Sequence, residues 1–439
     1  MIEIMPIGGF REVGKNCTAV KIDDEVIVID LGLHLQNWIN YTQDDDDVDL
    51  SLGKLIEIQA VPDISVIENW LPKVKAVCIS HAHLDHVGAA PFLAHKFKCP
   101  IHGTPYTIEV LKALIEDKQI SIPNKLISHD VNSMFKVSEN IKIEFISVTH
   151  SIVHAALIAI HTKYGTIVYA NDFKLDNQPT LGLKSNIGRM KEMKNVKALI
   201  LDSLYAHKPI KTPSESVAKE LLREVMISTN SEGKAMIVST FSSHLARIKS
   251  IMEFSKQLKR KVVFLGRSLD KYIMAGERCG IVSFSKEGKI IKYRHQVEKF
   301  LKNCKRPEDY VFVVTGHQGE PKSVLGRMIF HNYFRFKKED IVIFSSNIIP
   351  TELTIRSREA MEAELKKKKV RIFRDIHVSG HGAREDQRDL INLIEPEMLL
   401  PAHSELKVTE QFLELAEEIG YRENKNCFIL KNGHKFEIK

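Results

Sequence analysis

Along the first ~200 residues, short β-branched runs alternate with loops, and most of the runs end on a histidine or an aspartate. The runs are "AVKID", "EVIVID", "VKAVCIS", "IKIEFISVTH", "GTIVYAND" and "VKALILDS", with apolar helical stretches such as "VGAAPFLAHKF" between some of them. Their length and residue types are those of strands, and their order specifies layers of strands and helices, an α/β or α+β sandwich. At or just after the tips stand Asp30, His81, His150, Asp172 and Asp202, joined much later by His381 and His403. Ligands in open sheets bind outside the carboxyl ends of strands, so side chains this far apart in sequence can converge on one place.

The texture changes near residue 212, where helix "SESVAKELLREVMIST" opens a regular βα alternation that runs to the basic helix "LTIRSREAMEAELKKKKV". This is the rhythm of a parallel sheet with flanking helices. After it, "RIFRDIHVSGHG" and "MLLPAHSEL" return to polar-tipped strands. The reading is therefore of one domain inserted into another: 1–205, an insert over 206–369, and a return over 370–439. At 439 residues the chain exceeds one ordinary core, which agrees with two compact units. Residues 36–60 break the strand pattern, and their four successive aspartates repel one another, so an exposed, solvated loop is expected there.

Composition excludes several classes. With 44% hydrophobic and 27% charged residues, and no uninterrupted apolar run of about 18, the chain is not expected to span a membrane. Met1 leads directly into strand-like "MIEIMPI", and the six cysteines are scattered and never spaced CxxC, so a cytoplasmic protein with reduced thiols is expected. The net charge of +7 is modest, but "KQLKRK" (256–261) and "KKKK" (366–369) concentrate it, which suits a polyanionic partner as well as a solvated helix face.

"CISHAHLDHVG" (78–88) carries the chemistry. In an extended segment His81 and His83 face one side about 6.6 Å apart, close enough to hold one ion, while Asp85 and His86 turn toward a neighbouring position. Two zinc ions about 3.5–4 Å apart need roughly seven protein ligands including a bridging carboxylate, an inventory the tips can supply. Isolated histidines such as His34, His95, His102 and His161 lack such a pattern and read as ordinary packing or surface groups.

"HAHLDH" with "THS" (149–151), "NDF" (171–173) and "IDLG" (29–32) resembles the metallo-β-lactamase superfamily. "LDS" (201–203), "HVSGHG" (377–382) and "PAHSE" (401–405) resemble its β-CASP nuclease branch, and "GGFREVGKNCTAVKIDDEVIVIDLGL", "TGHQGEP" and "SSNIIPTE" narrow the likeness to the ribonuclease J family in its short, archaeal-like form. The resemblance implies an αββα sandwich with an inserted βα β-CASP domain. It implies that His81, His83 and His150 hold a first zinc, that Asp85, His86 and His403 hold a second, and that Asp172 bridges them. Manganese would suit the same nitrogen and oxygen ligands. Asp30 and Asp202 would orient ligand histidines or scaffold the site, with a direct catalytic part the alternative for Asp202.

Such ions lower the pKa of bound water and offset phosphoryl charge, and Asp85 and His381 are the residues expected to carry catalysis. His381 is the expected proton donor or phosphate contact, with His377, Val378, Ser379 and Gly380 beside it. In "TGHQGEP", Gly316 and Gly319 would let backbone amides cradle a phosphate, and Ser345 and Ser346 of "FSSN" would form the other wall. Ribonuclease J enzymes generally have serine where His317 stands, a departure from the family pattern. Both loops lie in the insert, which places substrate between the two domains. The resemblance thus implies a 5′-to-3′ exoribonuclease on single-stranded RNA that prefers a 5′-monophosphate and acts in RNA decay and maturation. Rival readings are a mainly endonucleolytic relative, a thioesterase or lactamase on the same core, and a non-catalytic RNA-binding scaffold. A homodimer and RNA-decay or ribosome-associated partners are compatible with the resemblance, and the sequence specifies neither.

Overall fold

The computed structural model describes residues 1–42, 50–349 and 351–438. The four aspartates at 44–47 lie outside these. The segments flanking them form two short helices, Leu35–Thr42 and Leu52–Glu57, the second capped by Ser51, whose hydroxyl accepts from the Lys54 amide.

The chain divides into two compact units, one made of residues 1–177, 183–212 and 379–439 and the other of 178–182 and 213–378. The first contains two sheets. One has seven strands in the order Phe436–Ile438, Ile2–Gly8, Cys17–Ile22, Glu25–Ile29, Val74–Ile79, Ile101–Gly103 and Leu126–Ser128. The other has six, in the order Leu399–Ala402, Val196–Asp202, Gly165–Ala170, Ala156–Thr162, Lys142–Ser147 and Ser133–Lys136. Alternate side chains from both, among them Ile4, Val20, Ile27 and Cys78 from the first and Phe145, Ile158, Ile167, Ala198 and Leu400 from the second, form one buried cluster. The opposite faces are covered by helices, Pro105–Lys118 on the first sheet and Arg384–Ile394 and Leu406–Glu418 on the second. This is the expected αββα sandwich, and covering on both faces explains why strands such as Glu25–Ile29 and Gly165–Ala170 are almost entirely apolar.

The second unit is a six-stranded parallel sheet, ordered Lys289–Ile291, Lys261–Leu265, Tyr310–Val314, Met236–Ser239, Ile341–Phe344 and Arg371–Phe373. One difference from the sequence reading stands out. The strand of "RIFRD", read as part of the returning segment, pairs in parallel with Ile341–Phe344 and so completes this sheet instead. Its residues Arg371, Ile372 and Phe373 are only half-buried, as suits an edge position, and strand propensity by itself does not say which sheet a strand joins. Inside the unit the fully buried Arg247 forms a two-pronged pair with Glu215, at 2.8 and 2.9 Å, and donates to the Ser345 and Ile376 carbonyls at 3.0 and 2.9 Å. A buried charge persists only when so fully partnered. Among the described residues all six cysteines are free, and no helix is long and apolar enough to cross a membrane.

Candidate metal centre

Strand Val74–Ile79 delivers Ser80 and His81, the chain stays extended through His83 (φ −74°, ψ 148°), and one helical turn, Leu84–Val87, then swings Asp85 and His86 inward. The turn is bolted down by backbone bonds: Leu31 N–H donates to the His86 carbonyl at 2.7 Å, Leu33 to Leu84 at 2.9 Å and Asn16 to Asp85 at 3.0 Å. Gly32 is required here because a Cβ would collide with the Asp85 carbonyl. Three other contributors, Asp30 (φ 61°), Asp172 (φ 51°) and His403 (φ 57°), adopt left-handed backbone just beyond their strands. Strain of this kind persists where the surroundings over-determine a side-chain direction.

The seven side chains meet. His81, His83, His150 and Asp172 present ligand atoms all within 4.8 Å of one another, and so do Asp85, His86, Asp172 and His403. Asp172 belongs to both groups: its Oδ2 lies 3.4 Å from His81 Nε2, 3.5 Å from His150 Nε2 and 3.2 Å from His86 Nε2, and its Oδ1 lies 3.6 Å from His403 Nε2. Asp85 Oδ2 completes the second group at 3.7 Å from His86 Nε2 and 3.8 Å from His403 Nε2.

Hydrogen bonds on the far side of the rings assign the tautomers. His86 Nδ1–H donates to Asp30 at 2.7 Å, His150 Nδ1–H to the Gly380 carbonyl at 2.7 Å and His403 Nδ1–H to Asn16 Oδ1 at 3.0 Å. In each ring it is Nε2 that faces Asp172. His83 approaches the other way round, its Nδ1 3.0 Å from His150 Nε2. His81 Nε2 and Asp172 Oδ1 are buried and make no hydrogen bond among the described residues. Buried polar atoms rarely stand unpartnered, and a divalent cation is the partner this donor set fits. Burial pushes the His83 and His150 imidazoles well below their usual range, so both are neutral and able to ligate. Burial would depress His86 too, but the Asp172, Asp30 and Asp85 carboxylates outweigh it and raise its pKa. For Asp172, burial is overcome by His403, His86 and His381, which hold the carboxyl well below its usual value.

Asp30 and Asp202 do different work. Asp30 is fully buried and accepts from the Ser80 amide at 2.8 Å, the Ser80 hydroxyl at 2.9 Å, the Tyr169 hydroxyl at 2.9 Å and His86. Asp202 Oδ2 accepts from His381 Nδ1 at 2.7 Å, and His381 Nε2 then lies 3.9 Å from Asp172 Oδ2. Burial disfavours the His381 cation, but Asp172 and Asp202 prevail and raise its pKa to about 9. His381 sits in the loop before helix Arg384–Ile394 rather than on a strand tip. Gly380 beside it has a visible reason to be small: a Cβ would stand 2.7 Å from the Ser151 amide and 2.8 Å from His150 Nδ1. The Ser379 hydroxyl accepts from the His381 amide at 3.0 Å.

The remaining candidates, His377, Val378, Gly316, Gly319, Ser345 and Ser346, belong to the second unit. The Ser345 hydroxyl is committed to Arg247 at 2.7 Å and to the Ile376 carbonyl at 2.9 Å, whereas the buried Ser346 hydroxyl has no hydrogen bond among the described residues. Gly319 (φ 88°) packs against backbone of helix Glu352–Lys367, with a Cβ there 2.5 Å from the Arg358 nitrogen, and Gly316 (φ 121°) packs against Ser323. His317 lies against Phe241, ring centroids 4.1 Å apart, and both its nitrogens are without hydrogen bonds among the described residues. Burial drives His317 down to about 3 and His377 down to about 2, so both rings are neutral.

Sequence reasoning passed over Asn16 and Asn171. Asn16 Oδ1 takes bonds from His403 and from Asn171 Nδ2 at 3.0 Å, while its Nδ2 donates to the Asp85 carbonyl at 3.0 Å, tying three separate segments together. A solitary asparagine carries no spacing signal; only its place in "GKNCTAV" and next to "NDF" could have drawn attention.

This sandwich, with its histidine and aspartate cluster at the strand ends, defines a metal-dependent hydrolase of the metallo-β-lactamase class bearing a β-CASP domain. Residues 11–200 match the family model for the metallo-beta-lactamase superfamily, 233–357 that for the ribonuclease J beta-CASP domain, and 367–430 that for a Zn-dependent metallo-hydrolase RNA specificity domain. Among similar proteins, Ribonuclease J of Methanocaldococcus jannaschii is 40% identical, covering 98% of each chain, and Ribonuclease J of Pyrococcus abyssi is 39% identical, covering 100% of this chain and 97% of the relative. Ribonuclease J2 of Bacillus subtilis is 28% identical over 100% of this chain and 75% of its own. The chain belongs to the ribonuclease J family. A crystal structure of a protein of unknown function from Enterococcus faecalis V583 shares the fold, with a TM-score of 0.67 at 19% identity over 99% of both chains.

Proposed function

We propose that the chain is a zinc-dependent ribonuclease that degrades single-stranded RNA from its 5′ end, preferring a 5′-monophosphate, in RNA decay and maturation. Its family and its cluster of histidines and aspartates make it a metallo-hydrolase acting on RNA; zinc as the metal, two ions per chain, and the 5′-to-3′ direction are our reading. The observation that carries it is Asp172, whose two oxygens stand 3.2–3.6 Å from ligand nitrogens of both groups. In this reading His81, His83 and His150 would hold one ion and Asp85, His86 and His403 the other, with Asp172 available to both.

When bound, such ions supply a nucleophile at neutral pH and offset phosphoryl charge. The chain does the rest. Asp30, Asn16 and the Gly380 carbonyl hold His86, His403 and His150 with Nε2 inward, so no reorganisation is needed when charge develops. Asp202 keeps a proton on His381 Nδ1 and fixes the ring, so that Nε2–H faces the Asp172 side and can donate to the leaving ribose oxygen or a phosphoryl oxygen. Asp85 acts as ligand and as a carboxylate beside the reacting phosphate. Ser379, Gly380, His377, Val378, Ser346, Gly316 and Gly319 are the proposed phosphate contacts, with Ser345 holding the loop from behind through Arg247.

Digestion of single-stranded RNA labelled at its 3′ end and carrying a 5′-monophosphate, triphosphate or hydroxyl tests this. Mononucleotide release that is fastest from the monophosphate is expected; internal fragments formed with indifference to the 5′ group would show an endonuclease instead.

A further inference from the structure

The basic run "KQLKRK" is not used by the site above, and the structure gives it a setting. It lies at the amino end of strand Lys261–Leu265, whose Lys261 pairs with Tyr310, the first residue of the next strand. There a cleft of about 720 Å³ opens beside edge strand Lys289–Ile291 and helix Arg294–Asn303. Four cations, Lys289, Lys299, Lys305 and Arg306, line it, against the single carboxylate of Asp309, which Arg306 already binds at 2.9 Å. Its floor is aromatic: Phe300 and Tyr310 meet edge to face with centroids 5.9 Å apart, and Lys289 Nζ stands 5.0 Å over the Phe300 ring. Lys256, Lys259 and Lys261 are exposed at the same end of the sheet.

This end is opposite to the loops implicated in phosphate binding. Gly316 and Ser345 follow the carboxyl ends of Tyr310–Val314 and Ile341–Phe344, so strands of four to five residues, roughly 13–16 Å, separate the two. Cations over half-buried aromatic rings are the chemistry of single-strand binding, where bases stack and phosphates pair with lysine. An acidic protein segment would use the cations but leave the rings idle.

We propose that this cleft is a second binding site for single-stranded RNA, separate from the glycine and serine loops at the other end of the same sheet; the inference rests on the reading of the chain as a ribonuclease. The triple variant K289Q/K299Q/K305Q of the full chain, bound to a 5′-monophosphorylated RNA of about 20 nucleotides, is expected to lose roughly tenfold in affinity at moderate salt. The slope of log affinity against log salt should flatten by about 2, the value for three lost phosphate contacts on a single strand. Cleavage of an RNA of about 4 nucleotides should be unchanged, since a strand that short cannot occupy a second site while it is being cut. Photocrosslinking of 4-thiouridine RNA to the wild-type protein should label Phe300 or Tyr310. Unchanged affinity and slope in the variant, or binding of a polyglutamate peptide in the cleft without competition by RNA, would overturn the proposal. A wild-type protein that cuts neither RNA would instead refute the ribonuclease reading.

Discussion

Asp30 and Asp202 are both aspartates at strand ends, yet their neighbours give them separate tasks, and substitution should separate them. Asp30 orients His86 from a fully buried position, so Asp30→Asn is expected to lower metal affinity about 10–100-fold, read by metal content during a chelator titration. His381 touches Asp202 on one side and faces Asp172 on the other, so His381→Ala should leave metal content intact while kcat on RNA falls by about 10²–10⁴-fold. Equal metal loss in both variants would show that His381 acts through the ions instead. At this scale the sequence was legible wherever spacing constrained it: "HAHLDH" announces four ligands because alternate residues of an extended segment share a face and the next turn reverses it. Asn16 was not legible, because its role comes from bonds to residues 85, 171 and 403, none of them near it in the chain.

Between elements, close backbone approach and buried pairs set the stability. The loop at Gly380 lies so near His150 that an added methyl must move one of them; Gly380→Ala should cost about 1–3 kcal/mol and weaken metal binding at His81, His83 and His150 before the second group. Calorimetry with metal analysis checks both. Elsewhere in the second sheet, Glu144 on strand Lys142–Ser147 accepts from Arg189 at 2.6 and 3.0 Å and pairs with His161 at 2.8 Å. Burial opposes its charge, but His161 and Arg189 prevail and bring its pKa to about 2, below the ordinary 4.5. A carboxyl lowered on folding contributes stability above its unfolded pKa and loses it as pH falls toward the folded one. Wild type should therefore exceed Glu144→Gln by about 2 kcal/mol at pH 6, and the gap should close progressively from pH 4.5 down to 2; a gap independent of pH would assign the effect to packing. The strand Arg371–Phe373 shows the limit of pattern reading at this scale, since a short, half-buried Arg-Ile-Phe triplet fits the edge of any sheet and only its pairing with Ile341–Phe344 decides which.

For the whole molecule, metal and fold are coupled. Bringing five histidines and Asp85 around Asp172 with nothing to bind them leaves buried polar atoms unpartnered, so chelation should lower the melting temperature as well as abolish activity. Restored zinc should raise stability with its free concentration, by about 4 kcal/mol at a thousand times the dissociation constant. A melting temperature unaffected by chelation would show that the centre is preformed without the ions. By itself the sequence determined which residue types stand at the strand ends and that a parallel βα unit interrupts the first one, because run length, residue type and helical periodicity are local properties of the chain. Only the tertiary structure decided that Asp172 belongs to both groups, which nitrogen of each histidine faces inward, that Asp30 serves His86 while Asp202 serves His381, and that Lys261 of "KQLKRK" pairs with Tyr310, a residue of an aromatic cleft. Those facts arise from backbone directions and hydrogen bonds between segments far apart in the chain, which no local pattern encodes.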